Sequence, residues 1–166
     1  ELDRLIGYPN DVSREKWMSE QMKVTPKDME LLNSYIANYN TPENQDKIKN
    51  TLKALIGLDS TNISYKNYIK YLLDTNPKEA REELKDTLPN LNLEELIGPI
   101  AWLFADNDEF QKAYDWAVLT KEIDFLTRMN WLIEKKDYQF LESEYLAYID
   151  ANPNDMKVKA RMDEVY

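Results

Sequence analysis

The stretch from Asp137 to Pro153 constrains the fold more than any other part of this chain. It combines apolar residues at helical spacing with a sequence signal that ends the helix. Its large apolar residues recur at steps of three and four, which is the spacing of one face of an α-helix. These residues are Tyr138, Leu141, Tyr145, Leu146, Tyr148 and Ile149. Asn152-Pro153 follows, and proline disfavours a helical residue before it. The stretch therefore predicts one helix in a stack of helices.

Capping residues and prolines mark similar helix boundaries along the rest of the chain. Helix starts are predicted at Thr25-Pro26-Lys27-Asp28, Thr41-Pro42, Asn76-Pro77, Asn92–Glu95, Asp106–Asp108, Asp137 and, for the last helix, Asn154. Gly57 is predicted to cap a helix end, and Gly7–Asn10 to form a turn. Roughly nine helices and no strand are expected from these patterns.

The charge balance limits the classes of partner. Lysine and arginine number 21 and aspartate and glutamate 31, so the net charge is −10. Such a surface repels phosphate backbones and anionic headgroups, which argues against nucleic acid and membranes as partners. No apolar run approaches the roughly 20 residues that a membrane-spanning helix needs. The expected partner is a protein or peptide, with a basic patch favoured by charge complementarity.

The chain contains no histidine and no cysteine. Catalysis by histidine, thiolate chemistry and the zinc sites that use these residues are therefore excluded. The acidic runs at Asp106–Asp108 and Asp150–Asn154 lack the glycine and the final glutamate of a calcium loop, so we interpret them as helix caps. Adjacent glutamates such as Glu82-Glu83 diverge on a helix. No metal site, cofactor or catalytic constellation is predicted, although an enzyme that uses Asp, Glu, Lys or Tyr stays an open alternative.

Residues 122–155 resemble a tetratricopeptide repeat, and residues 94–120 resemble a second one more weakly. Tyr138 matches the aromatic residue that opens the second helix of the repeat, Tyr145 matches its later bulky position, and Asp150–Asn154 matches the linker between repeats. Phe110 and Ala113 match the aromatic and small positions of the weaker repeat. The chain departs from the family pattern at Leu141, Tyr148, Phe125, Arg128 and Met129. The prolines at 42, 77 and 153 are spaced by about one and about two repeats of this length.

The resemblance implies a groove lined by the first helix of each repeat. Its groove positions fall on Gly98, Trp102, Ala105, Leu126, Asn130 and Ile133. Among the residues near that groove, Trp102 is the candidate aromatic anchor and Asn130 the candidate amide for a peptide backbone. Glu134 is the candidate acid for a basic side chain. These three residues form the predicted binding site.

We therefore expect an all-α fold in which antiparallel helical hairpins stack as a short, right-handed, tetratricopeptide-like α-solenoid. An irregular compact helical bundle is the alternative. The chain is interpreted as a single domain over residues 1–166, taken from a longer protein, and either a cytoplasmic or an exported location fits. The predicted function is non-catalytic binding of a protein or peptide, or scaffolding. The alternative is a carbohydrate-handling or cell-surface module of an exported bacterial protein, in which exposed tryptophan and tyrosine would stack on sugar rings.

Overall fold

A computed structural model of the chain describes residues 11–166, and the turn predicted at Gly7–Asn10 lies outside that range. Every regular element in the described range is a helix, so the all-α class is confirmed. The chain divides into two compact units, Glu1–Leu72 and Leu73–Tyr166, which are described separately below. The single domain over residues 1–166 stays a prediction.

The described part of the first unit is built from four helices, the last of which runs across the unit boundary. They are α1 (Asp11–Val24), α2 (Met29–Tyr39), α3 (Gln45–Leu58, preceded by a 3-10 turn, Pro42–Asn44) and α4 (Ile63–Thr75). Helix α2 packs against both α1 and α3. The Glu15 carboxylate of α1 accepts hydrogen bonds from the Tyr35 hydroxyl of α2 at 2.7 Å and from the Lys47 ammonium of α3 at 3.0 Å. One acidic side chain therefore ties three helices together.

The second unit continues with six helices in the described range. They are α5 (Pro77–Leu84), α6 (Ile97–Asp106, preceded by a 3-10 segment, Leu91–Leu96), α7 (Phe110–Ala117), α8 (Phe125–Lys135), α9 (Tyr138–Ala151) and α10 (Met156–Val165). Neighbours in sequence pack together from α5 to α9, and α10 packs against α8. Packing of this kind is found in helical solenoids and in helical bundles.

Side chains from the last four helices form the main core cluster of this unit. Its buried members are Tyr114, Phe125, Met129, Leu132, Leu141, Val158 and Met162. Leu141 stands where the tetratricopeptide pattern expects a small residue, and here it fills the space between helices. Predicted stripe residues Tyr145, Tyr148 and Ile149 pack partly buried against the same cluster. Tyr138 and Leu146 are instead 50% and 57% exposed, because the predicted stripe is wider than the face that neighbouring helices cover.

Two predicted caps are confirmed at the start of helices in the second unit. The Asn76 side chain accepts a hydrogen bond from the Glu79 backbone N–H, with Pro77 as the first helical residue. The Asp137 carboxylate accepts from the Phe140 backbone N–H at 3.2 Å and opens α9. Each bond satisfies a backbone donor that has no partner within its own helix.

Other predicted boundaries are wrong by a few residues. Thr25 does not cap α2, because its hydroxyl donates back to the Gln21 carbonyl and closes α1. Asp28 caps α2 instead. Thr41 makes no capping hydrogen bond, and the proline after it opens a 3-10 turn. Gly57 does not end α3, which continues to Leu58.

The boundaries around α6, α7 and α10 also differ from the prediction. Helix α6 starts at Ile97, after a 3-10 segment capped by Asn90, so Asn92–Glu95 is not a capping box. A turn is present at Asn107-Asp108, as predicted, with Asp108 in a left-handed conformation at φ of 60°, but Glu109 and not Asp108 holds the cap position of α7. Helix α10 starts at Met156, because the Asp155 carboxylate accepts from the Val158 backbone N–H. These errors arise where several adjacent polar residues could each act as the cap.

Candidate peptide-binding surface

Trp102 is the exposed aromatic residue of an otherwise buried helix. Helix α6 is strongly apolar, and most of its side chains are buried. Trp102 is 45% exposed, although tryptophan side chains are on average largely buried in folded proteins. The tetratricopeptide resemblance predicts that this residue lies on a binding groove, and in the structure the indole is partly exposed to solvent.

A second tryptophan supports the Trp102 ring from the neighbouring helix. Trp131 of α8 is only 6% exposed, and its ring lies edge-to-face against Trp102, with centroids 5.1 Å apart and planes at 90°. Edge-to-face pairs of this kind are favourable beyond the area that they bury. The contact fixes the exposed indole on a rigid base and brings α6 beside α8.

Asn130 precedes Trp131 on the same helix and contacts α10. Its Oδ1 accepts a hydrogen bond from Arg161 Nε at 2.8 Å. Arg161 Nη1 pairs with Glu164 Oε2 at 2.7 Å, so this arginine is held on both sides. The Asn130 side chain is therefore anchored to α10 rather than loose on the surface.

Glu134 lies one turn beyond both Asn130 and Trp131 on α8, which places it on the same side of the helix. It is exposed and makes no ion pair or side-chain hydrogen bond within the described range. We call the surface formed by Trp102, Asn130, Trp131, Glu134 and Arg161 the α6–α8–α10 face. Trp102 is joined to this face by its contact with Trp131, and Asn130 and Glu134 belong to it through α8. Whether these residues bind a partner stays a prediction.

Glu122 approaches this region close to Gly98, one turn before Trp102 on α6. A Cβ atom on Gly98 would lie 2.6 Å from the Glu122 Oε2 atom, so the missing side chain leaves room for the carboxylate. Glu122 is exposed and lies just before α8. A second carboxylate therefore lies beside the turn of α6 that precedes Trp102. The glycine itself was the signal in the sequence, but nothing in its neighbourhood indicated which side chain would use the space.

The other implied groove positions are less accessible. Gly98 and Ala105 are buried, and Leu126 and Ile133 pack partly buried against the core cluster. Trp102 and Asn130 are thus the implied positions that offer chemistry to a partner. Sequence reasoning missed Arg161, because a contact across 31 residues leaves no signal in a short window.

The shifted pKa values in this unit have structural causes. Burial and a 2.6 Å hydrogen bond to Glu144 both raise the pKa of the Tyr114 hydroxyl. The hydrogen bond from Tyr148 and the backbone N–H of Val158 lower the pKa of Asp155. Both carboxylates link helices and do not point into a common cleft. Among residues 11–166, no group of three or more Asp, Glu, His or Cys side chains is arranged to hold a metal ion.

One pocket of this unit lies away from the α6–α8–α10 face. Its volume is about 290 Å³, and it is bounded by the segment from Lys85 to Pro89 and by three residues of α7, Lys112, Asp115 and Trp116. Lys112 donates a hydrogen bond to the Lys85 carbonyl across this pocket at 2.9 Å. None of the predicted site residues lines it. A partner on the α6–α8–α10 face would lie across a surface instead of entering this cavity.

These features define an all-α protein with a candidate surface for another chain. Searches against models of known protein families, curated protein sequences and solved structures found no match. The tetratricopeptide resemblance therefore rests on the residues that carry it. None of the described helices combines the length and the apolar character needed to cross a bilayer.

Proposed function

We propose that the second unit is a non-catalytic module that binds an extended segment of another protein along the α6–α8–α10 face, in a binding or scaffolding role. The observation that carries the proposal is the Trp102 indole, 45% exposed and braced by the buried Trp131. Tryptophan is among the commonest energetic anchors of protein interfaces, since its large ring loses much apolar surface to water when a partner covers it. A braced ring also loses little conformational freedom on binding.

The charge on and near this face supports a basic partner. Glu134 has no side-chain partner among residues 11–166, and Glu122 lies close to the first turn of α6. Arg161 already forms a surface ion pair with Glu164. A lysine or arginine of the partner would meet these carboxylates and the face of an indole, with which cations interact favourably. The net charge of −10 would further attract a basic chain from a distance.

The alternatives receive less support from the same residues. A carbohydrate surface would be favoured by two exposed tryptophans in one plane, whereas Trp102 and Trp131 are perpendicular and Trp131 is buried. A catalytic site is disfavoured because two groups of this unit with shifted pKa values have structural roles: Asp155 caps α10, and the Tyr114 hydroxyl donates to Glu144 between α7 and α9.

Selection of short random peptides displayed on phage, with the whole chain as bait, tests the proposal. Selected peptides are then synthesised, and their affinities are measured by fluorescence anisotropy for the wild type and for variants. Trp102→Ala should weaken binding by more than about tenfold, as loss of an interface anchor does. Tyr138→Ala is the matched control, because Tyr138 is also a half-exposed aromatic residue but lies on α9. Circular dichroism melts check that each variant folds.

The contribution of charge to binding is tested separately, by the affinity and its dependence on salt. Glu134→Gln should weaken binding and reduce its dependence on salt, while Glu142→Gln, an exposed glutamate of α9, should change neither. Enrichment of lysine and arginine in the selected peptides supports the proposal. Failure to select any peptide, or selected peptides that bind Trp102→Ala as tightly as the wild type, would refute it.

A further inference from the structure

Asn130 is oriented by a partner that can only donate hydrogen bonds. The Arg161 guanidinium carries five N–H donors and no acceptor. Its Nε therefore requires an oxygen at the other end of the 2.8 Å contact, which assigns Oδ1 of Asn130 to the side facing α10. The amide is planar, so its amino group, Nδ2, must be directed away from Arg161.

That amino group is unpaired and not fully buried on the half-buried Asn130 side chain. It makes no hydrogen bond to residues 11–166, and it is not among the buried polar atoms that lack a partner. An unpaired Nδ2 that is not buried is satisfied by water in the free protein. It can exchange that water for an acceptor on a bound chain at little cost.

The ion pair between Arg161 and Glu164 adds a modest restraint to this arrangement. Glu164 contacts the guanidinium at 2.7 Å on the same helix, in a pair that is largely exposed to solvent. The hydrogen bond from Arg161 Nε is therefore the contact that orients the Asn130 amide. Without Arg161, the amide could present its oxygen and its amino group to a partner about equally.

From this geometry we propose that Arg161 is a positioning residue. It turns the Asn130 amide so that Nδ2 donates to a backbone carbonyl of the bound segment, next to the side chain that covers Trp102. The inference rests on the proposed function and adds the ligand chemistry to it. The site takes an acceptor at Asn130, flanked by an apolar or basic side chain at the indole. An amide donor can bind any polypeptide in this way, because the backbone presents a carbonyl oxygen at every residue.

Asn130→Asp distinguishes the role of the amide oxygen as an acceptor from the role of the amino group as a donor. The new carboxylate would still accept from Arg161, and the pair would be stronger because it is charge-assisted. It would have no donor for the carbonyl of the peptide. The substitution also adds a negative charge, which alone would favour a basic peptide. A loss of affinity in this variant would therefore come from the missing donor and not from charge.

The probe is a fluorescein-labelled synthetic peptide from the wild-type phage selection. Asn130→Asp should weaken its binding about threefold to tenfold, with thermal stability unchanged or raised. Arg161→Met should weaken binding about threefold, and Arg161→Lys should restore part of the loss by again offering a donor to Oδ1. Asn67→Asp in α4, an exposed asparagine of the first unit, carries the same change in charge and should leave binding unchanged.

A second readout follows the amide directly. In ¹⁵N-resolved NMR spectra, the side-chain NH₂ signals of Asn130 should shift when the peptide is added to the wild type, and should already differ in free Arg161→Met. Binding that falls in Trp102→Ala but stays within about twofold of wild type in Asn130→Asp would overturn this inference and leave the proposed function standing. Binding that is insensitive to Trp102→Ala, or no selected peptide at all, would overturn both.

Discussion

Leu141 and Leu146 allow the packing of the second unit to be tested with one chemical change on one helix. Both leucines lie on α9, and both belong to the stripe predicted from sequence. Leu141 is fully buried in the core cluster, whereas Leu146 is 57% exposed. Replacing each by alanine removes the same atoms and leaves the helix backbone intact, since alanine is a good helix former. The difference between the two variants therefore measures burial.

The expected costs follow from these exposures. Leu141→Ala withdraws three carbon groups from the core at about 0.8 kcal/mol each, or about 2.4 kcal/mol. The cavity left among Phe125, Met129 and Val158 raises the loss to about 3–5 kcal/mol. Leu146 has less than half of its surface buried, so Leu146→Ala should cost about 1 kcal/mol or less.

Urea unfolding followed by tryptophan emission measures both values. Three of the four tryptophans, Trp102, Trp116 and Trp131, lie in the second unit, so the emission signal reports mainly on that unit. A loss of about 3 kcal/mol lowers the urea midpoint by about 1–3 M. Equal costs for the two variants, or a larger cost for Leu146→Ala, would refute the assignment of Leu141 to the core and with it the packing of α9.

Two further predictions concern helix ends in the same unit. Lys136 ends α8 with φ of 63°, a left-handed conformation that strains a residue with a side chain. Lys136→Gly should therefore stabilise the protein by about 0.5–1 kcal/mol in thermal melts. Lys135→Gly, at the last residue of α8, should instead destabilise it, because glycine disfavours the helix and the hydrogen bond from Lys135 to Gln111 is lost. Tyr148→Phe should destabilise the protein at neutral pH, because the Tyr148 hydrogen bond is the main cause that lowers the pKa of Asp155. A carboxyl with a lowered pKa loses its contribution to the free energy of unfolding as pH falls through its folded-state pKa. The difference in stability between wild type and Tyr148→Phe should therefore narrow below about pH 4. A constant difference down to about pH 2 would contradict this.

The proposed face depends on contacts that no short window of sequence contains. Trp102 was assigned to a binding face from a resemblance, and its exposure agrees with that position. Its contact with Trp131 and the hydrogen bond that Arg161 donates to Asn130 join helices that are not neighbours in sequence. Such contacts depend on how side chains of separate helices meet, and spacing within one helix carries no information on that.

The sequence by itself determined that this chain is helical and where two of its helices begin. Apolar steps of three and four, and caps such as Asn76 and Asp137, act through hydrogen bonds and side chains within one or two turns. Only the tertiary structure decided that Leu141 is buried while Tyr138 and Leu146 face solvent, and that Asn130 presents an amino group outward. The physical reason is that a helix can form from local bonds alone, but the side that is covered depends on which distant helix packs against it.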